Sequence, residues 1–301
     1  MPPKGLPLNH RYLYRRGRTP LAVLAATSVG VALFVTAVNP ARASTSATAT
    51  TLVTLFDRSG AADKPTVVLV HGAWADGSSW HGVIDRLRSQ GYHVVAPPNP
   101  LRGVSGDAAY LADYLKTIKG PIVLVGHSYG GMVITNAALG NTDVKALVYI
   151  DAFIPAKGQS AGEIAASQPG SAVIVPDPTT VFNLVPFPGA SAGDADLYLK
   201  PKVVRSSFAQ DLSAEQQNQI IATQRPLEAS AVTQPSGDPA WKTIPSWALI
   251  GRQDKIIPAA AQEATAKVAH AKVKEINSSH LPLVSHPGAV ADLIITAARA
   301  S

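Results

Sequence analysis

Short runs of β-branched and other apolar residues alternate with helical stretches along most of this chain, and this alternation limits the possible folds more than any other feature. The run Val67–Val70 is apolar at every position, which is typical of a parallel strand covered on both faces. Repetition of strand and helix in this order predicts a mostly parallel sheet with helices on both faces. The predicted strands are Val67–Val70, Val94–Ala96, Ile122–Val125, Ala146–Ile150, Trp247–Ile250 and Val273–Ile276. The predicted helices are Ser79–Gln90, Ala108–Lys119, Met132–Leu139, Ala259–His270 and Ala289–Arg299.

Residues 155–245 interrupt this alternation. Prolines recur through the segment, and it contains no convincing buried strand. An irregular loop of about ninety residues is too long for a compact domain, so the segment is predicted to be an inserted cap built from short helices. Its clearest helix begins after Ser213, whose spacing to Gln216 matches a reciprocal capping box.

The first 43 residues have the pattern of an export signal. A basic stretch precedes the apolar run Leu21–Val38, and the small-residue site Ala41–Ala43 follows, so cleavage is expected before Ser44. A run of about 18 apolar residues is the shortest that spans a bilayer, so a membrane anchor is the alternative. The pair Arg15-Arg16 leaves a twin-arginine route open. Residues 44–63 are expected to form a tether and a first strand, and residues 64–301 one domain.

The basic excess of the chain is confined to this leader. The leader holds six of the 26 basic residues and none of the 20 acidic residues, so the rest of the chain is electrically balanced. A balanced body gives no support for binding to nucleic acid. The chain also has no cysteine, so an exported form would depend on its apolar core rather than on disulfides.

The residues that indicate chemistry begin with the segment Gly126–Gly131, which reads GHSYGG. It directly follows a predicted buried strand and opens a predicted helix. A serine at such a turn adopts a strained backbone conformation that exposes its hydroxyl, and small flanking residues let the strand and the helix pass closely. Ser128 is therefore predicted to be a nucleophile, whereas His127 is expected to point across the sheet and pack.

At these residues the chain resembles the α/β-hydrolase superfamily of serine hydrolases, over most of residues 64–300. The segments VVLVHGAWADGSSW, GHSYGGMVI, GRQDKIIP and SSHLPLVSHP follow the order and spacing of one branch, which holds small bacterial esterases, plant methylesterases and hydroxynitrile lyases. The resemblance implies an α/β fold with an eight-stranded, mostly parallel sheet and a cap over the pocket. It also implies a triad in the order serine, acid, histidine, with neither cofactor nor metal.

The general base can be chosen from the positions of the histidines along the predicted strands. His280 follows the last predicted strand by a short turn, so it emerges at the sheet edge where Ser128 lies. His286 is the alternative, but it stands before Pro287 at a helix start and is predicted to be structural. His71 is predicted to shape the loop after the first strand.

Asp254 is the predicted acid. It follows the strand Trp247–Ile250 through a short turn at the same sheet edge, where a carboxylate can orient the histidine and stabilise its charged form. The same carboxylate is placed to cap the turn that follows. Asp151, directly after the strand Ala146–Ile150, is the competing acid, because related folds sometimes place the acid one strand earlier.

An oxyanion needs hydrogen-bond donors that are already in place. The predicted donors are the backbone N–H groups of Tyr129, at the helix start, and of Ala73, in the loop after the first strand. Only the backbone of these two residues enters this prediction.

Together these residues predict a secreted serine hydrolase that cleaves carboxylic esters of small to medium apolar substrates through an acyl-enzyme. The expected partner is a small-molecule ester, with no stable membrane insertion after signal cleavage and no prediction of oligomeric state. The apolar residues of the cap are suited to contact an apolar acyl or alcohol group of the substrate. Alternatively, they form a small core of the cap itself. They are Phe153, Phe182, Leu184, Phe187, Tyr198 and Phe208.

Two other functions remain open at this point. One is a lyase or carbon–carbon bond hydrolase that uses the same triad, and the other is a non-catalytic ligand-binding member of the fold. Hydroxynitrile lyases of the branch carry threonine and lysine where this chain has Gly72 and Leu281, which argues against cyanohydrin cleavage.

Overall fold

The computed structural model of the protein describes residues 64–301. The expected leader, tether and first strand lie outside the described residues. No helix within residues 64–301 combines the length and the apolar character needed to cross a bilayer.

Strands and helices alternate through the described part of the chain. The strands, in chain order, are β1 (Thr66–Val70), β2 (Val94–Val95), β3 (Ile122–His127), β4 (Val144–Ile150), β5 (Phe182–Val185), β6 (Asp196–Leu199), β7 (Leu227–Glu228), β8 (Ser246–Gly251) and β9 (Lys272–Ile276). The helices are α1 (His81–Ser89), α2 (Val104–Leu115), α3 (Gly130–Ala137), α4 (Ala161–Ala166), α5 (Pro201–Val203), α6 (Ala214–Thr223), α7 (Ser230–Thr233), α8 (Ala259–Val268), α9 (Pro282–Ser285) and α10 (Pro287–Arg299). A π-helical turn, Val204–Phe208, follows α5.

The main sheet is parallel throughout, in the order β2-β1-β3-β4-β8-β9. All six predicted strands are confirmed as its members. Every residue of β3 is buried, as a strand covered on both faces must be. The sheet has six strands within residues 64–301 rather than the eight that the resemblance implies. The expected first strand lies outside the described residues, and the chain between β4 and β8 forms the cap instead of adding strands to this sheet.

The helices cover the sheet with apolar faces. Helix α10 buries Val290, Leu293, Ile294 and Ala297, a spacing that places all four on one side of a helix. This helix contacts β3, β4 and β8 and packs against α1, while α3 contacts β3 and packs against α2. The predicted helices are confirmed, with ends that move by up to four residues.

The cap differs from its prediction in one respect. It holds short helices, as predicted, but also a three-stranded antiparallel sheet in the order β5-β6-β7. These strands are only two to four residues long, and Leu184 and Val185 of β5 are exposed, so no buried apolar run signals them. The predicted capping box of α6 is confirmed, because the side chains of Ser213 and Gln216 each accept a hydrogen bond from the other's backbone N–H.

The strand order places the ends of the chemistry-bearing strands together. Strand β1 lies between β2 and β3, so the order in which strands are added to the sheet changes direction at β1. At such a point the carboxyl ends of the two neighbouring strands, here β1 and β3, border a crevice. Strands β8 and β9 end at the same edge, because the whole sheet is parallel. The loops that carry Ser128, Asp254 and His280 therefore leave the sheet at the same edge.

Candidate active site

Ser128 stands on a sharp turn between β3 and α3. Its φ angle is +54°, in the left-handed region that non-glycine residues seldom adopt. Gly131 N donates to Ser128 O at 2.9 Å and closes the turn. A Cβ on Gly126 would lie 2.7 Å from Gly130 O, so the strand and the helix approach closely only because this residue is glycine.

His280 leaves β9 through a turn of three residues and is fully buried. Its Nε2 lies 2.8 Å from Ser128 Oγ, and its Nδ1 lies 2.7 Å from Asp254 Oδ2. With the proton on Nδ1, the ring donates to Asp254 and accepts from the serine hydroxyl. The three side chains thus form one continuous hydrogen-bonded chain.

Asp254 is held by several donors besides the histidine. Its Oδ1 accepts from the backbone N–H groups of Ile256 and Ile257 at 2.7 and 3.0 Å, so the carboxylate also caps the turn that follows. Gln262 Nε2, on α8, donates to Oδ2 at 2.8 Å. These donors satisfy the oxygen atoms of a buried carboxyl group. Sequence reasoning missed Gln262, because an amide on a helix carries no signal of its partner.

Asp151, the competing acid, lies next to this chain of side chains without joining it. It is fully buried at the end of β4, with a φ of +39°, and its Oδ1 accepts from Gly251 N at 2.5 Å. Burial, followed by the nearby negative charge of Asp254, raises the pKa of Asp151 well above its usual range. The raised pKa favours the protonated form of Asp151.

Among the described residues, Asp151 and two members of the hydrogen-bonded chain, Asp254 and His280, come nearest to a cation site. Ligand atoms of Asp151, Asp254 and His280 lie within 4.8 Å of one another. The 2.7 Å hydrogen bond between Asp254 and His280 leaves no space for an ion between them. The geometry of the cluster fits proton transfer better than metal binding.

The loop after β1 faces the serine. Ala73 and Tyr129 line the same cavity as Ser128, and neither backbone N–H meets an acceptor among the described residues. Two donors beside a nucleophile are the arrangement that stabilises an oxyanion. His71 fixes this loop: its Nδ1 donates to Gly72 O at 2.9 Å, and its Nε2 accepts from Asn99 N at 3.0 Å. Burial lowers the pKa of His71, consistent with a neutral ring.

His127 has a contact that the sequence did not indicate. The side chain packs beneath the site, as expected, with its ring 6.4 Å from that of Trp80. Its Nε2 also lies 2.8 Å from His280 O, so it holds the backbone of the proposed base. Burial, and then the proximity of His280, lower the pKa of His127 well below its usual range. His286, in contrast, is exposed, and its Nδ1 contacts Ser285 Oγ.

A cavity of about 320 Å³ lies over Ser128, between the sheet edge and the cap. Its wall is almost entirely apolar, and no charged side chain lines it. The lining includes Phe153, Ala165, Phe182, Leu184, Leu197 and Leu227. Three of the apolar cap residues singled out from the sequence thus face the cavity, whereas Phe208 is buried against the ring of His280 at 5.4 Å.

Trp74 connects the loop after β1 to the cap. It has a φ of +58°, its Nε1 donates to Leu197 O at 2.8 Å, and its backbone N–H donates to Arg225 O at 2.8 Å. Its ring stacks on Phe182 at 5.6 Å. These contacts fix the residue that follows one of the two free N–H donors, and they give the cavity one rigid wall.

Comparison with known proteins gives consistent results. The sequence profile of the family described as "Alpha/beta hydrolase family" matches residues 67–293. A carbendazim hydrolyzing esterase from Nocardioides sp. (strain SG-4G) is 38% identical over 106 residues, which are 31% of this chain and 44% of that relative. The chain thus matches less than half of the length of that relative.

Solved structures share the fold. The crystal structure of polyneuridine aldehyde esterase superposes with a TM-score of 0.66 at 20% identity, covering 77% of this chain and 98% of that one. An extracellular alpha/beta-hydrolase from a Paenibacillus species superposes with a TM-score of 0.61 at 23% identity, again covering 77% and 98%. At these identities the superpositions bear on the fold alone.

Proposed function

The chain belongs to the alpha/beta hydrolase family, and from this premise we propose that it is a carboxylic-ester hydrolase that works through an acyl-enzyme on Ser128. One observation carries the proposal: the unbroken hydrogen-bonded chain from Ser128 through His280 to Asp254, whose serine end lines a cavity with two free N–H donors. These groups supply a candidate for each part that acyl transfer needs: a nucleophile, a base, an orienting acid and oxyanion donors.

The proposed reaction has two halves. In the first, His280 Nε2 takes the proton of the Ser128 hydroxyl as Oγ attacks the ester carbonyl, and Asp254 stabilises the imidazolium. The carbonyl oxygen becomes an oxyanion held by the N–H groups of Ala73 and Tyr129. The intermediate collapses, the C–O bond to the alcohol breaks, and His280 returns the proton to the departing oxygen. In the second half, water replaces the alcohol and releases the acid by the same steps.

The cavity supports a neutral, apolar substrate. Its walls offer no charged group to pair with an ionic substrate, and apolar contact is the main source of affinity in such a pocket. Tyr129 presents no free hydroxyl there, because its OH donates to Asp107 at 2.9 Å. An ester with small to medium apolar groups on the carbonyl fits this volume and polarity. Similarity to a carbendazim hydrolyzing esterase supports ester cleavage as the reaction class.

The experiment that tests this proposal is an activity panel combined with active-site labelling. The purified protein is assayed on p-nitrophenyl esters of increasing acyl length, and the expected result is turnover of the short and medium esters. An organophosphonate should label Ser128, as peptide mass mapping will show. Absence of turnover on every ester, or labelling of a different serine, contradicts the proposal. Cleavage of a carbon–carbon bond with no ester turnover would favour the lyase alternative.

Export is a separate part of the proposal. Its support is the sequence pattern of the leader, which predicts cleavage before Ser44. N-terminal sequencing of the protein from culture supernatant is expected to start at Ser44 or within a few residues of it. Recovery of the uncut chain in the membrane fraction would show that Leu21–Val38 is an anchor instead.

A further inference from the structure

Two consecutive cap residues, Gln210 and Asp211, contact the loops that carry the acid and the base. Gln210 Nε2 donates to Gln253 O at 2.7 Å. Asp211 accepts two hydrogen bonds from Ser279, one from the backbone N–H at 3.0 Å and one from the hydroxyl. These two side chains lie between the π-helical turn and α6, and we call them the clamp.

The partners of the clamp stand immediately before the reacting residues. Gln253 precedes Asp254, and Ser279 precedes His280. The two loops are also tied to each other, because Gln253 N donates to Ser278 O at 3.1 Å. Each clamp residue therefore contacts the residue that comes just before one partner of the hydrogen bond between Asp254 and His280.

The contact with Ser279 satisfies groups that water does not reach. Ser279 is fully buried, whereas Asp211 reaches it from an exposed position on the cap. A buried N–H and a buried hydroxyl that lose their acceptor are destabilised, so the loop would move to find another partner. His280 follows directly in the chain and would move with the loop.

The rest of the cap segment acts on the histidine ring. Phe208, at the end of the π-helical turn, is fully buried with its ring 5.4 Å from that of His280. His127 Nε2, from the end of β3, contacts the backbone carbonyl of His280 at 2.8 Å. The position of His280 is thus fixed by the sheet through His127 and by the cap through Phe208 and Asp211.

We propose that Gln210 and Asp211 are positioning residues. Through their contacts, the cap holds Asp254 and His280 in their hydrogen-bonded arrangement. The cap then has a part in proton transfer as well as in substrate binding. The inference rests on the proposed function, since it assigns to the clamp the alignment of the same three side chains.

The test uses Asp211→Ala, Asp211→Asn and Gln210→Ala in the full protein, with Glu215→Ala as the matched control. Glu215→Ala removes the same charge from an exposed position at the start of α6. One readout is the rate at which a saturating organophosphonate labels Ser128, which depends on activation by His280 and not on the identity of the natural substrate. The second is the low-field proton NMR signal of the His280 Nδ1 hydrogen bonded to Asp254.

Misplacement of a reacting group by about 1 Å can lower its rate by about a hundredfold. We expect Asp211→Ala to slow labelling by about ten- to a hundredfold and to broaden or shift the low-field signal, with KM for an ester little changed. Asp211→Asn retains an acceptor oxygen for the Ser279 N–H and should lie between Asp211→Ala and wild type. Gln210→Ala should have a smaller effect of the same kind, and Glu215→Ala none.

Two outcomes would overturn the inference. If Asp211→Ala folds, labels at the wild-type rate and keeps the low-field signal, the clamp has no role in alignment. If its only effect is a raised KM, the contact serves binding alone. If Asp211→Ala does not fold, the same criteria apply to Asp211→Asn and Gln210→Ala. Failure of wild type itself to label on Ser128 contradicts the proposed function instead, so the two failures are distinguishable.

Discussion

The sheet and the cap of this protein differ in the length and the burial of their strands. The sheet buries continuous apolar strands between two layers of helices, and all residues of β3 and β8 are buried. The cap sheet has strands of two to four residues, one of which exposes Leu184 and Val185. The sheet positions the proposed catalytic side chains at the ends of its strands, whereas the cap supplies most of the cavity wall and the clamp. Changes in the sheet should therefore alter the chemistry, and changes in the cap should alter the choice of substrate and the alignment.

The largest expected effect is that of the proposed nucleophile, Ser128, at the end of β3. Ser128→Ala should lower kcat by about 10⁴- to 10⁶-fold, because the base has no hydroxyl left to activate. The free energy of unfolding should be unchanged or raised, measured by urea denaturation. Ser128→Gly is a useful companion, since glycine relieves the strain at φ +54°. Activity that survives in both variants would show that the chemistry does not depend on the sheet edge.

The next effect separates the two carboxyl groups of the sheet. Asp254→Asn should lower kcat by up to about 10⁴-fold, because the amide favours the wrong histidine tautomer. Asp151→Asn should have little effect on kcat, because Asp151 makes no hydrogen bond to His280 and its raised pKa favours the protonated form, which an amide resembles. Steady-state kinetics on one ester compares the two variants. If Asp151→Asn is the variant that loses kcat, the acid is Asp151 at the end of β4 and the assignment of Asp254 is wrong.

A smaller effect concerns the response of the fold to pH. His71 and His127 have lowered pKa values in the fold, so below about pH 6.5 the unfolded chain binds more protons than the folded chain. Their stabilising contribution is complete above that pH and is lost as the pH falls, by up to about 1.4 kcal/mol per pH unit for each histidine.

Asp151 acts in the opposite direction. Its raised pKa means that the folded chain binds the extra proton above about pH 3.9, so its contribution falls as the pH rises. Asp151→Asn removes this opposing contribution. Urea denaturation between about pH 4 and pH 6 should therefore show a steeper loss of stability with acid in Asp151→Asn than in wild type. Identical slopes would mean that Asp151 is ionised in the fold.

The smallest effect is expected at the rim of the cap. Leu184 is half exposed and lines the cavity, so Leu184→Trp should narrow the opening. We expect kcat/KM for a long acyl ester to fall by about tenfold while that for a short ester stays unchanged. Val185→Trp is the matched control, because adjacent residues of a strand point to opposite faces. Equal losses on both esters, or from both variants, would contradict a role of this rim in selecting substrates.

The difference between the two regions also explains what could be predicted from the sequence. The strands of the main sheet and the side chains just beyond their ends follow from local patterns, so Ser128, Asp254 and His280 could be chosen without the structure. Their roles stay predictions until the variants are measured. The cap strands could not be predicted, because they are only two to four residues long and the buried and exposed residues of β5 do not alternate. The contact of Asp211 with Ser279 could not be predicted either, since it joins residues far apart in the chain and depends on how the cap is seated.

The pairing of β4 with β8 has a consequence for how the chain folds. Leu147 pairs with Ser246, so the intervening segment, about a hundred residues that include the cap, must close as a loop before these strands meet. Contacts of such long range slow folding, and until β8 arrives the edge of β4 stays open to pairing with other chains. Refolding at high protein concentration should therefore lose material to aggregation at this step. The loops that carry Asp254 and His280 follow β8 and β9, so recovery of activity will report the last stage of folding rather than the first.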